Sequence, residues 1–255
     1  MAKANGLGDN LYVGGYDLSG DTGEIQRIAQ PRTLLDVTGI DKSAHERIYG
    51  LRDGAIEFRS FFNDENAYPF GSFEALNGLP TADVTASYFR GTTLGGRVAS
   101  LVAKQVNYDP TRGADGSFIF DTQLLANGYG LEWGQSLTAG KRTDTTATAP
   151  ATGADFTDVT TSFGMAAYLH VFTVTGTSVT CTIQDSADNS SFAAITGLSS
   201  FAAATPAASP QTQRIETDTL VRDVRRYLKV NTTGTFTEAI FAVSVVRYHG
   251  ADRAL

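Results

Sequence analysis

Between Ser162 and Tyr248 several stretches read as β-strands, separated by turn residues. In TSVTCTIQDS, residues 177–186, Val179, Cys181 and Ile183 fall on one phase and Thr180, Thr182 and Gln184 on the other. In SFGMAAYLHVFTVTG, 162–176, Leu169, Val171 and Thr173 alternate with His170, Phe172 and Val174. A period of two sends successive side chains to opposite faces of an extended strand, and it cannot keep one face of a helix apolar. SFAAITGL, TQRIETDTL, VRRYLKVNTTG and FTEAIFAVSVVRY continue the pattern between turn residues. The region therefore predicts about seven short strands over residues 160–250, an antiparallel β-sandwich.

The first half is more varied. NLYVGGYDL reads as a short strand interrupted by glycines, and SGDTG, 19–23, as a turn. IDKSAHERIYGLRDG, 40–54, predicts a helix with Asp41 or Ser43 as cap, Ala44, Arg47 and Ile48 near one face, and Gly50 at its end. AIEFRSFFN, 55–63, alternates as a strand does, and so does the β-branched and aromatic DVTASYF, 83–89. FGSFEALNGLP, 70–80, predicts a short helix stopped by Asn77–Gly78 and Pro80. RVASLVAKQVNY, the turn DPTRGADG and SFIFDTQLL together predict a long hairpin over 98–125. TDTTATAPATGA has almost nothing to pack and reads as a linker. The expected organisation is a β domain with a short helix over 1–145, a linker at 146–159 and the sandwich at 160–250. The fold class is all-β with a minor helix.

Composition narrows the function. Residues 1–150 hold 18 acidic and 13 basic side chains within a chain of formal charge −7, which argues against tight binding of a nucleic-acid backbone. The single cysteine, Cys181, allows no internal disulfide, and its strand phase marks it as a buried small hydrophobe. MAKANGLGDNLYVGG carries one lysine and no apolar segment, so it does not read as a secretory leader. No stretch approaches 18 apolar residues, so no membrane span is expected.

Sites for chemistry are sparse. DSADNSS, 185–191, offers Asp185 and Asp188, but a calcium loop also needs a central glycine and a twelfth-position glutamate. It reads as a hairpin turn. His45, His170 and His249 lack ligand spacing, no G-x-S-x-G occurs, and nothing selects a pair among Glu57, Glu74, Asp83 and Glu132. No cofactor, no metal and no enzymatic activity are expected. Trp133 is read as a core aromatic or an anchor between subunits, because aromatics concentrate binding energy at interfaces. Arg222, Arg225 and Arg226, among nearby acids, read as a salt-bridged face or a docking surface.

GLGDNLYVGGYDLSGDTGEIQRIAQPRTLLDVTGIDKSAHERIYGLRDGAIEFRSFFN, continued by ANGYGLEWGQSLTAGKRTDTTATA, resembles the major tail proteins of long-tailed phages infecting actinobacteria. The resemblance covers about 150 residues and its words are glycine-rich. It implies a tail-tube-like β-sandwich or barrel that forms rings, hexameric in that family, stacked into a tube conducting DNA. SFEALNGL would then lie near the flanking helix, and the 97–125 hairpin would be an inter-ring loop, with Tyr108, Arg112 and Phe118 as candidate contacts. The implied partners are copies of the chain, a tape measure and a terminator, with DNA passing unread. The implied place is the virion tail, after assembly in the host cytoplasm. A decoration or accessory protein remains an alternative. So does a carbohydrate-binding module, for which Tyr168, Phe172 and Tyr248 are the available aromatics.

Overall fold

The computed structural model describes residues 5–157, 160–219 and 221–250. The first half contains β1 (Asn10–Val13), β2 (Tyr16–Asp17), β3 (Thr22–Ala29), β4 (Arg32–Asp36), β5 (Arg47–Arg52) and β6 (Ala55–Phe61), followed by the short helix α1 (Ser72–Leu76). Next come β7 (Val84–Phe89), β8 (Arg97–Gln105), β9 (Asp109–Arg112), β10 (Phe118–Ala126), β11 (Glu132–Ser136), β12 (Arg142–Asp144) and β13 (Ala154–Asp155). The second half contains β14 (Met165–Ser186), β15 (Ala193–Ala194), β16 (Gln211–Glu216) and β17 (Tyr227–Arg247). The fold is all-β with a minor helix, and every strand pairing is antiparallel among the described residues. No helix among them is long and apolar enough to cross a membrane.

The second half has fewer and longer strands than its turn signals suggest. β14 and β17 form one ribbon, paired from Met165↔Arg247 to Ser186↔Tyr227. Gly176 and Gly234, which read as turns, lie inside it with φ of 133° and 119°, Gly176 at a bulge with a register shift on either side and Gly234 in register with Val179. A Cβ at Gly176 would stand 2.5 Å from the Phe236 Cα, so the glycine admits the opposite backbone and the local twist of a bulge.

The expected helix at 40–54 is replaced by strand. Arg47–Arg52 pairs with Arg32–Asp36 as a two-stranded hairpin outside the main sheet. The periodic residues Ala44 and Ile48 had no helical face to bury against, and the β-branched and aromatic IYGL run opposes RTLLD instead. The 98–125 hairpin is present in two parts. β10 pairs β8 through Leu124↔Gln105 to Ala126↔Ala103, and its outer half pairs β9 from Asp121↔Asp109 to Phe118↔Arg112. The 70–80 helix stands as expected at Ser72–Leu76.

Two apolar clusters fill the molecule. One gathers Leu11, Ile56, Phe58, Phe120, Leu124 and Leu131. The other gathers Val171, Ile183, Phe201, Leu228, Phe241 and Val243. β11 joins them, pairing β8 through Glu132↔Ser100 to Gln135↔Arg97 and β17 through Gln135↔Val245 and Ser136↔Ser244. Smaller clusters also straddle the two halves, one with Tyr12, Phe89, Val98 and Phe172, the other with Val102, Tyr168, Val246 and Tyr248. The alanine- and threonine-rich run after Ser136 lies along β17. Thr148 and Thr232 exchange backbone hydrogen bonds of 3.1 and 2.9 Å, and Ala154 pairs with Leu228.

Candidate assembly surface

The β4–β5 hairpin exposes apolar side chains on both faces. Leu34, Leu35, Val37, Ile40, Ile48, Tyr49 and Leu51 are between 47 and 110% exposed, while such side chains elsewhere mostly fill the two cores. Its form is nonetheless well specified. At the tip the Thr38 N–H and hydroxyl donate to the Asp36 carboxylate, the Val37 N–H donates to the Glu46 carbonyl at 2.9 Å, and the Glu46 N–H donates to the Thr38 hydroxyl at 2.9 Å. The Thr38 hydroxyl and amide, with the His45 ring, hold the Asp36 carboxyl below the usual range. At the root the Asp53 N–H donates to the Pro31 carbonyl at 3.0 Å, and the Arg52 guanidinium approaches Glu132 at 3.9 Å.

Thr33, Leu35, Tyr49, Gly50 and Leu51 border an open concavity of about 410 Å³. Among the described residues β4 and β5 pair only with each other, so each also offers a free strand edge. Exposed apolar surface beside unpaired strand edges favours association with another polypeptide. Fully burying each large side chain is worth about 1.5–3 kcal/mol, before the cost of association.

The residues singled out in the sequence are dispersed. Trp133 is 44% exposed on β11 and borders a small hollow of about 110 Å³ with Arg97, Gln135 and Phe156. Tyr108 packs on Phe120, ring centroids 5.0 Å apart, and burial pushes its phenol pKa up. Phe118 is 39% exposed and rests on Phe62 at 4.8 Å. Arg112 is exposed on β9. Arg222 pairs with Asp218 at 2.8 Å, Arg225 with Asp185 at 2.6 Å and Arg226 with Asp155 at 2.7 Å. Each of the three arginines is thus paired with its own carboxylate, and Arg226 holds the Asp155 carboxyl down to about 2. The hairpin residues Leu34, Leu35, Tyr49 and Leu51 were not singled out. The signal available for them was the pair RTLLD and RIYGLR, two β-prone runs separated by a polar segment containing Gly39.

Other candidates resolve into structure. Asp188 accepts backbone N–H groups from Ser190 and Ser191 at 2.9 and 2.8 Å and the Ser186 hydroxyl at 2.7 Å. Those donors, Ser191 first, lower its carboxyl pKa. DSADNSS is the turn between β14 and β15. Cys181 is buried, and burial pushes its thiol up to about 12. Tyr168, Phe172 and Tyr248 are 0, 2 and 8% exposed, so they do not form an exposed platform for a sugar. No group of three or more His, Cys, Asp or Glu side chains among the described residues could hold a metal ion.

No family model and no curated protein matches the chain. Among solved structures it is similar to a chain in the virion of a native gene transfer agent particle, at TM-score 0.42 and 13% identity, over 51% of this chain and 98% of that one. It is also similar to the SPP1 Dit (gp 19.1) protein, described as a paradigm of the hub adsorption apparatus in phages infecting Gram-positive hosts. That match has TM-score 0.33 and 12% identity, over 94 and 99% of the two chains. A chain of the phage p2 baseplate in its activated conformation with Sr gives TM-score 0.35 and 10% identity, again over 94 and 99%.

Proposed function

We propose that this chain is a structural subunit of a phage virion, that it self-associates into rings stacking as a tail tube, and that it performs no catalysis. The observation that carries the reading is the β4–β5 hairpin, an ordered element whose apolar side chains find no cover within one copy. The tail location, the ring form, the conduction of DNA and the tape-measure and terminator partners come from the sequence resemblance. The virion and baseplate components named above are of the same kind, but the weight rests on the hairpin. A formal charge of −7 suits a channel that lets DNA slide without sticking.

The test compares the full chain with a Leu34→Asp/Leu51→Asp variant by sedimentation velocity and negative-stain microscopy over a concentration series. Both positions are exposed, so the variant is expected to keep the parent's urea midpoint. The parent is expected to form rings or tubes, and the variant to remain monomeric. A parent that stays monomeric at every concentration would end the proposal. A closed trimer that never polymerises would favour a decoration protein.

A further inference from the structure

A second apolar surface lies over the other core. Leu94, Leu137, Ala139, Pro150, Leu228 and Val230 line a groove of about 340 Å³ between β17 and the segment beside it. Leu137 and Leu228 form its buried floor, and Leu94, 47% exposed, stands on its rim. The wall is held by the Thr148–Thr232 backbone pair and by the Lys229 ammonium, which donates to the Pro150 carbonyl at 2.8 Å.

The groove carries one uncompensated positive charge. Its charged lining residues are Arg142 and Lys229, with no carboxylate among them. Asp144 engages Arg142 through two bonds of 2.8 Å. Lys229 has no carboxylate partner among the described residues, and its ammonium lies 4.3 Å from the Phe192 ring centre. The hairpin tip has the opposite character. Between residues 36 and 46 it carries Asp36, Asp41 and Glu46 against one lysine, Lys42, which sits 3.8 Å from Asp41 and 3.5 Å from Glu46. Val37 and Ile40 project between those charges, Ile40 completely exposed. No hairpin residue lines the groove of its own chain.

We infer that the groove of one copy receives the 36–46 hairpin tip of another, Ile40 and Val37 entering the apolar floor and the tip carboxylates facing Lys229. This rests on the self-assembly reading and names the surface that completes it. Charge complementarity of this kind sets register and orientation as well as attraction. The two patches differ, so the contact is heterologous. A pair keeps one unused tip and one unused groove, and the interaction propagates until a ring closes or a filament grows.

Two single variants, Ile40→Cys and Leu94→Cys, would be mixed at assembling concentration and treated with a short bis-maleimide, with the parent chain as the control for Cys181. A covalent dimer is expected in the mixture and in neither variant alone. Lys229→Glu is expected to raise the concentration needed for assembly at least tenfold, and adding Asp41→Lys to the same chain is expected to restore it. Rings or tubes that form without the mixed dimer, or Lys229→Glu chains that assemble at the parent's concentration, would overturn the pairing and leave self-assembly standing. A parent that fails to assemble would overturn both.

Discussion

His170 lies in an apolar enclosure, its Nε2 2.9 Å from the Ser87 hydroxyl and its ring 5.9 Å from Tyr12 and 6.5 Å from Phe172. Burial alone pulls its pKa from 6.5 to about 3. The folded protein therefore holds the ring neutral where the unfolded chain would protonate it. This stability is fully present above 6.5 and is lost as pH falls from 6.5 towards 3. Between pH 7 and 5 the loss is about 2 kcal/mol, at roughly 1.4 kcal/mol per unit below the unfolded value. Urea midpoints at pH 7 and pH 5 are expected to separate in the parent and to lie closer together in His170→Gln. Equal separations in the two chains would refute this. Strand phase marked His170 as part of a strand, but not as enclosed, because the side chains around it come from β1, β7 and β14. Cys181 and the turn at Asp188 were legible for the opposite reason, since neighbours in sequence decide both.

At the scale of elements, glycine was read as punctuation, and twice it lies inside a continuous strand. The ribbon passes through Gly176 and Gly234 without turning because long cross-strand pairing outweighs the local preference for a turn. Gly176→Val places a branched side chain at φ 133° and against the Phe236 backbone. It is expected to cost at least about 2 kcal/mol, the scale of a non-glycine residue held in a glycine-only region with overpacking added. The urea midpoint measures it, and an unchanged midpoint would mean the ribbon can relax there. The helix expected at 40–54 failed because three- and four-residue spacing in IDKSAHERIYG supplies a helical face with nothing to cover it. The strands at 55–63 and 83–89 and the helix at 70–80 were legible because burial and local pattern agree there.

At the scale of the whole molecule, Glu132 fastens one half to the other. Its carboxylate accepts the Tyr168 hydroxyl and, at 2.8 Å, the Tyr248 hydroxyl, with Arg214 at 3.3 Å, and it is only 3% exposed. The Arg214 guanidinium lies 3.6 Å from the Tyr129 ring centre, so both halves contribute to the cluster. Removing one member of a buried charged group leaves the others without compensation. Glu132→Ala is expected to lower stability by about 3–5 kcal/mol. Parent and variant are both expected to unfold in one calorimetric transition, because β11 carries the sheet from β8 to β17. Two resolved transitions in the parent would show that the halves unfold independently. The sequence by itself determined that the chain is mostly β with a short helix at 70–80, that its cysteine is buried and that its acidic loop is a turn. Each follows from a period of two or from contacts among near neighbours. Only the tertiary structure decided that the 32–52 segment leaves the main sheet as an apolar hairpin and that the threonine-rich run lies along β17 to wall a groove. Both depend on which distant surfaces run out of partners, and periodicity along a chain records the side a residue faces but not whether anything lies opposite.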